Sequence, residues 1–328
     1  MSQLAKEGAG SMVKRDTAAV KPAKKSKLLE ILSHNWQLWA LMVPGLLWLV
    51  VFAYYPMYGL TIAFKDFKPR AGITASPWAE PLFKHFQAFF STNIAWNTIS
   101  NTVILSLLTI LISFPVPIIF ALLLNQVKTN KLRKTIQTVS YAPYFISAVV
   151  VVSIMNVILA PGSGFVNTIY TTLTGNDPLL FTSRPEYFRS LYIISNIWQS
   201  MGFNAIIYIA ALTGISPDFY EAAIVDGASK FKRILYIDIP LIMPTVIIMF
   251  ILAVGNIMTI GYEKVYLMQN GMNTVVSEII STYVYKTGLQ NAQYSFATAV
   301  GLFNSGVNFI ILAVCNAVAK KTADISIF

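Results

Sequence analysis

Six runs of mostly apolar residues, at about 36–64, 98–124, 135–159, 190–212, 241–262 and 297–318, dominate this chain. Each is long enough to cross ~30 Å of hydrocarbon as a helix, which takes roughly 20 residues. Lipid offers no hydrogen-bond partners, so a spanning segment must satisfy its backbone internally, and separate apolar runs of this length do so as helices. The expected fold class is therefore all-α, a polytopic bundle of six transmembrane helices. Only 12% of the 328 residues are charged, about half the share in soluble domains, ~25%. The connecting segments are too short for a soluble catalytic domain. Pro44, Pro115, Pro117, Pro143 and Pro244 fall inside the runs and predict bends that neighbouring helices can absorb.

The first run follows a basic tail, as in a signal peptide. It is too long for such a segment and lacks a small-x-small cleavage pattern, so it reads as a retained span. The net charge of +10 sits in the tail and the short loops. That placement suits lipid headgroups and topology, and speaks against nucleic acid. With the amino terminus in the cytoplasm, sixteen of the 24 lysines and arginines fall on the cytoplasmic side and eight outside. The chain is therefore expected in the cell membrane with both termini on the cytoplasmic side. The organisation read from this is a basic tail at 1–34, a first helix at 35–64, an extracytoplasmic loop at 65–97, a membrane core at 98–318 and a second tail at 319–328.

Several chemistries are disfavoured. Cys315 lies alone in an apolar run, and His34 and His85 are too far apart to suggest a metal pair. No Gly-x-x-x-x-Gly-Lys-Ser/Thr sequence is present, so no nucleotide or other cofactor is expected, and the chain is not expected to be an enzyme. The spans hold almost no acids in their interiors, with Asp238 and Glu263 near span ends. Ion-coupled carriers place such groups at mid-membrane. A membrane glycosyltransferase would need a carboxylate or histidine constellation, and none is evident.

The polar segment at 216–240 stands apart. Ser216-Pro217-Asp218 is a helix start, with a capping serine, a proline suited to the first turn and an acid at the positive end of the dipole. Phe219–Asp226 supplies about two turns, Gly227 suits a left-handed terminus, and Ser229 caps a second short helix that Pro240 closes. Ala222 and Ala223 give the first helix a thin side. On these residues alone the segment is either an amphipathic elbow on the membrane or a two-helix docking knob.

The spacing Glu221-Ala222-Ala223, three residues, Gly227, nine residues, Ile237-x-x-Pro240 resembles the signature loop of permeases of type I ABC importers. Ile239 departs from the usual leucine. Asp226 before the glycine, together with WQSMGFNAIIYIAAL before the loop and YEKVYLMQN after it, is similar to the carbohydrate subgroup that imports oligosaccharides or polysaccharide fragments. The resemblance covers roughly 36–318. It implies that the loop docks on a cytoplasmic ATPase, with Glu221 meeting a basic group, Gly227 making the turn, and Ala222, Ala223, Asp226, Ile237 and Pro240 in the same motif. It also implies a second homologous permease chain, two ATP-binding subunits and an extracytoplasmic solute-binding protein. A permease of this class for a peptide or amino acid is the alternative, and an ion-coupled secondary transporter a more distant one.

A sugar path needs aromatic faces and amides. Asn256, Tyr262 and Glu263, at the end of the fifth run, are the first candidates. Asn304 and Asn308 in the sixth and Trp198 in the fourth complete the set. Asparagines in membrane helices also serve simply to bond neighbouring helices. The outer segment from about 264 to 296 is expected to be available to the binding protein.

Overall fold

A computed structural model describes residues 36–323. Residues 1–35 and 324–328 lie outside the described residues, and with them the tail expected at 1–34 and half of the one expected at 319–328. The chain divides into two units, residues 1–58 and 59–328.

In the first unit the chain is helical from Trp36 onward and belongs to α1, Trp36–Phe64. Its side chains are exposed up to Tyr58, apart from the half-buried Ala53. Pro44 sits inside the helix.

The second unit contains α2 (Lys84–Phe90), α3 (Asn93–Asn125), α4 (Asn130–Phe145), α5 (Ala148–Ile158), α6 (Phe165–Thr174), α7 (Pro185–Thr213), α8 (Pro217–Val225), α9 (Lys230–Gly255), α10 (Tyr262–Met268), α11 (Ile280–Tyr285) and α12 (Tyr294–Ala323). Among the described residues the only β pairing is a single bridge between Lys65 and Trp78. Among the described residues four helices, α1, α3, α9 and α12, are long and apolar enough to cross a membrane. The pairs α4–α5 and α7–α8 qualify only as bent units, with breaks of 99° and 71°, which brings the total to as many as six.

The expected third span is thus broken. Pro143 has no amide hydrogen to continue the ladder, the chain tightens at Ala142–Phe145, and Ser147 caps the new helix by accepting from the Val150 amide. The break frees the Ile146 carbonyl, and Gln199 Nε2 on α7 donates to it at 2.8 Å. An irregular turn at membrane depth requires such a partner.

The fifth span differs at both ends. It begins at Lys230 and stops at Gly255, short of 262. At its far end, Asn308 on α12 accepts from the Met258 amide at 2.9 Å and donates to Thr259 at 2.6 Å. This pins an irregular passage that sequence periodicity could not show. At its start, Pro240 does not close a separate helix. A wide π-type turn at Ile234–Asp238 passes directly into the span, with the Ile239 amide reaching Ile234. Similar wide turns at Val50–Tyr54 and Thr109–Ser113 precede Pro56 and Pro115. Such turns accommodate the amide that proline lacks.

Helix association in lipid depends on close packing more than on apolar burial. A Cβ on Gly202 of α7 would fall on the Ser140 carbonyl of α4, and one on Gly255 would fall 2.5 Å from Leu312. Two of the buried clusters among the described residues bear on the site. One, with Ala121, Ala205, Tyr208, Leu212 and Ile242, lies between α3, α7 and α9, next to the loop at 216–229. The other, with Leu105, Val152, Phe188, Tyr192 and Val265, lies towards the opposite end.

The segment between α10 and α12 folds back on the bundle through polar bonds. Asn270 and Asn273 both donate to the Thr182 carbonyl, at 2.9 and 3.1 Å. Asn101 donates to the carbonyls of Val275 and Glu278, at 2.8 and 3.2 Å.

Candidate functional site

The first candidate region is the loop. Ser216 Oγ accepts from the Asp218 amide at 3.3 Å and opens α8. Gly227 has φ +71°, and the Ala228 amide returns to the Ala223 carbonyl at 2.8 Å, a left-handed helix stop that suits glycine. Ser229 then caps α9 by accepting from the Lys232 amide. Glu221, Ala222, Asp226 and Gly227 are exposed together on this projection, with Ala223 half-buried beside them. Phe219, Ile224 and Val225 present apolar surface alongside. Ile237 and Pro240 are not part of that face, because they lie at the base of α9. The loop is therefore one free helix and a turn, with the second short helix absorbed into the span.

What holds the projection is a group the motif does not name. Asp238 is completely buried. Its Oδ1 accepts from the Tyr220 hydroxyl at 2.5 Å and its Oδ2 from Gln126 Nε2 at 3.2 Å. One carboxylate thus joins helix α8, the end of α3 and the base of α9. Sequence reasoning placed Asp238 only near a span end. The available signal was an acid inside the apolar run Ile237-Asp238-Ile239-Pro240.

The second region is a cavity of about 820 Å³ between α10, α11 and α12. Tyr262, Tyr285, Tyr294, Thr259 and Asn304 line it, and none of its lining residues is charged. Tyr262 and Tyr285 lie with ring centroids 5.2 Å apart, and Tyr266 packs on Tyr285 at 5.1 Å. Asn304 Oδ1 is buried without a hydrogen-bond partner. Of the residues singled out in the sequence, Tyr262 and Asn304 meet here.

The others do not join them. Asn256 lines a separate cavity of about 340 Å³ with Asn196, Ser200 and Asn204, and donates to the Leu252 carbonyl at 2.9 Å. Asn308 is engaged in holding the passage after α9. Glu263 is exposed, and Trp198 lines neither cavity. Tyr285, on α11 where Tyr262 is on α10, carries no signal of its own in the sequence.

Lys264, beside the cavity on α10, is buried. Its ammonium donates to Gln199 Oε1 at 3.0 Å and lies 5.8 Å from the centre of the Tyr192 ring. Burial pulls its pKa down to about 8. On the adjoining surface Asp66 pairs with Lys84 at 3.0 Å, and the Lys84 hydrogen bond holds its carboxyl below the usual range. His85 Nε2 lies 3.1 Å from the Lys65 carbonyl oxygen. Among the described residues no group of His, Cys, Asp and Glu is arranged to hold a metal.

A bundle of membrane helices with an exposed capped helix at one end and an uncharged aromatic cavity has the parts of a transport permease. The chain belongs to the family described as binding-protein-dependent transport system inner membrane component, which matches residues 88–324. It is a membrane-embedded permease subunit of the ABC-importer kind, in which ATP hydrolysis resides on a separate subunit. It is 39% identical over 308 residues to Protein LplB of Bacillus subtilis, covering 94% of this chain and 96% of that one. It is 38% identical over 313 residues to the polygalacturonan/rhamnogalacturonan transport system permease protein YteP of the same organism, covering 95% and 97%. Among solved structures, a chain of a bacterial ABC transporter importing the acidic polysaccharide alginate matches with a TM-score of 0.83 and 37% identity, over 90% of this chain and 99% of that one. A second structure of a bacterial alginate transporter, in complex with an alginate pentasaccharide-bound periplasmic protein, matches with the same TM-score and 36% identity, over 92% and 100%.

Proposed function

We propose that this chain forms half of the translocation path for an oligosaccharide, delivered by an extracytoplasmic binding protein and driven by two ATPase subunits that dock on its loop and on that of a second permease. The observation that carries the reading is the cavity of about 820 Å³, with tyrosine faces and the unpartnered Asn304 carbonyl oxygen. Sugar rings stack on aromatic faces, and their hydroxyls donate to amide oxygens. The uncharged lining means that a uronate substrate, as handled by the alginate and polygalacturonan systems, would be gripped by its ring faces and hydroxyls more than by its carboxylates. Glu221, Ala222, Ala223, Asp226 and Gly227 form the ATPase contact. Asn256, Glu263, Asn308 and Trp198 lie outside the lining of this cavity.

Both termini face the cytoplasm in this reading, which the distribution of lysine and arginine supports. The test is the reconstituted importer with its binding protein. Oligogalacturonides and neutral oligosaccharides of equal length are compared for stimulation of ATP hydrolysis, in the native chain and in Tyr285→Ala and Asn304→Ala. Loss of stimulation in both variants, with basal hydrolysis retained, is expected. Unchanged stimulation in both removes the cavity from the path.

A further inference from the structure

At the loop end of the bundle a second polar cavity, of about 310 Å³, opens where two spans terminate. Its lining includes Asn125 at the end of α3, Lys128 just beyond it, Arg133 on α4, and Lys230 and Arg233 in the first turn of α9. Four cations therefore converge on one small volume. Among the described residues none of the four is in an ion pair. Asp238, bonded to two of the lining residues, is committed to Tyr220 and Gln126. The Nε groups of both Arg133 and Arg233 are buried without a hydrogen-bond partner, although Arg133 Nη2 does reach the Val127 carbonyl at 3.0 Å. Two guanidinium and two ammonium groups thus line one cavity with no ion-paired carboxylate among the described residues, and an anionic occupant would balance their charge.

We propose that this cavity binds the phosphate of an anionic phospholipid from the leaflet on the loop side. The chemistry is that of a phosphate oxyanion, which arginine recognises by parallel N–H donors. The position favours a lipid over a dissolved anion. Asn125 and Lys230 are the terminal residues of two candidate spans, so the cavity lies at headgroup level. Leu123 and Leu132, 62% and 52% exposed, flank it on the same helices and offer apolar surface to the acyl chains. Basic pockets between membrane helices are suited to such headgroups. Because Tyr220 also lines the cavity, the bound phosphate would sit against the helix that carries Glu221 and brace the loop from the membrane side.

The site stands independently of the oligosaccharide reading, since its readout is lipid retention. The assembled importer is placed in nanodiscs of phosphatidylcholine with and without phosphatidylglycerol, and native mass spectrometry scores the lipid that stays on this chain. Phosphatidylglycerol should be retained, and Arg133→Gln and Arg233→Gln should each weaken retention about fivefold. Arg184→Gln, on the opposite side, should change nothing. Arg133→Lys with Arg233→Lys, measured alongside, keeps the charge and should keep most of the retention, which separates a binding loss from a folding loss. Equal retention in the glutamine variants overturns the proposal. So does protection of the importer by inorganic phosphate without any retained lipid, which would make the ligand a soluble anion. Crosslinking of position 233 to the ATPase subunit with no lipid bound overturns it as well.

Discussion

Tyr220→Phe tests the junction that fastens the loop to the membrane core. The substitution removes one hydroxyl and leaves the ring in place. Asp238, fully buried, then loses its 2.5 Å donor and keeps only Gln126 at 3.2 Å. A hydrogen bond to a charged group contributes about 1.5–3 kcal/mol, and a buried acceptor left short of a partner costs towards the upper end of that range. We expect a loss of about 2 kcal/mol, which in a chain of this size lowers the melting temperature of the purified importer by about 3–6 °C. Asp238→Asn should cost a similar amount by weakening the same pair. The double variant should then fall short of the sum by about 1–2 kcal/mol, because the second change removes an interaction already broken. Tryptophan fluorescence on heating measures all three. Function should follow stability in a particular way: basal ATP hydrolysis persists while its stimulation by loaded binding protein drops, since the loop is no longer held to α3 and α9. Additivity of the two substitutions within about 0.5 kcal/mol would refute the claim that Asp238 and Tyr220 form a junction.

Other expectations follow from the same geometry. Gly202→Ala forces a methyl onto the Ser140 carbonyl where α7 crosses α4, and backbone cannot yield cheaply, so a loss of about 1–3 kcal/mol or failure to assemble is expected, read as yield and melting temperature of the purified chain. Glu221→Lys should abolish uptake and ATPase co-purification while membrane insertion stays normal; intact co-purification and uptake would dismiss Glu221 from the contact. Gly227→Val places a β-branched residue at φ +71°, a strain of about 1–2 kcal/mol, and should cripple uptake at normal expression. Lys264 binds its proton less tightly when folded, at about 8 against 10.5, so between these values the unfolded chain carries more protons and stability rises with pH; the rise should vanish in Lys264→Met when melting temperature is followed from pH 7.5 to 10.5.

The sequence by itself determined the class of fold. Runs of apolar residues in lipid leave helices as the economical solution, and Ser216-Pro217-Asp218, Gly227 and Ser229 wrote the capped helix and its stop into local chemistry. Those signals act over a few residues and need no neighbour. Tertiary structure alone decided where the spans break and what fastens the loop. Pro143 predicted a bend, but the 99° turn is supported by Gln199 from another helix. The end of α9 at Gly255 depends on Asn308, some fifty residues away in sequence. Asp238 bonds Tyr220 and also, from more than a hundred residues away, Gln126, and Tyr262, Tyr285 and Asn304 come from three separate helices. A hydrogen bond or a shared cavity between distant segments leaves no periodicity in the chain, because the residues that make it are adjacent only once the helices have packed.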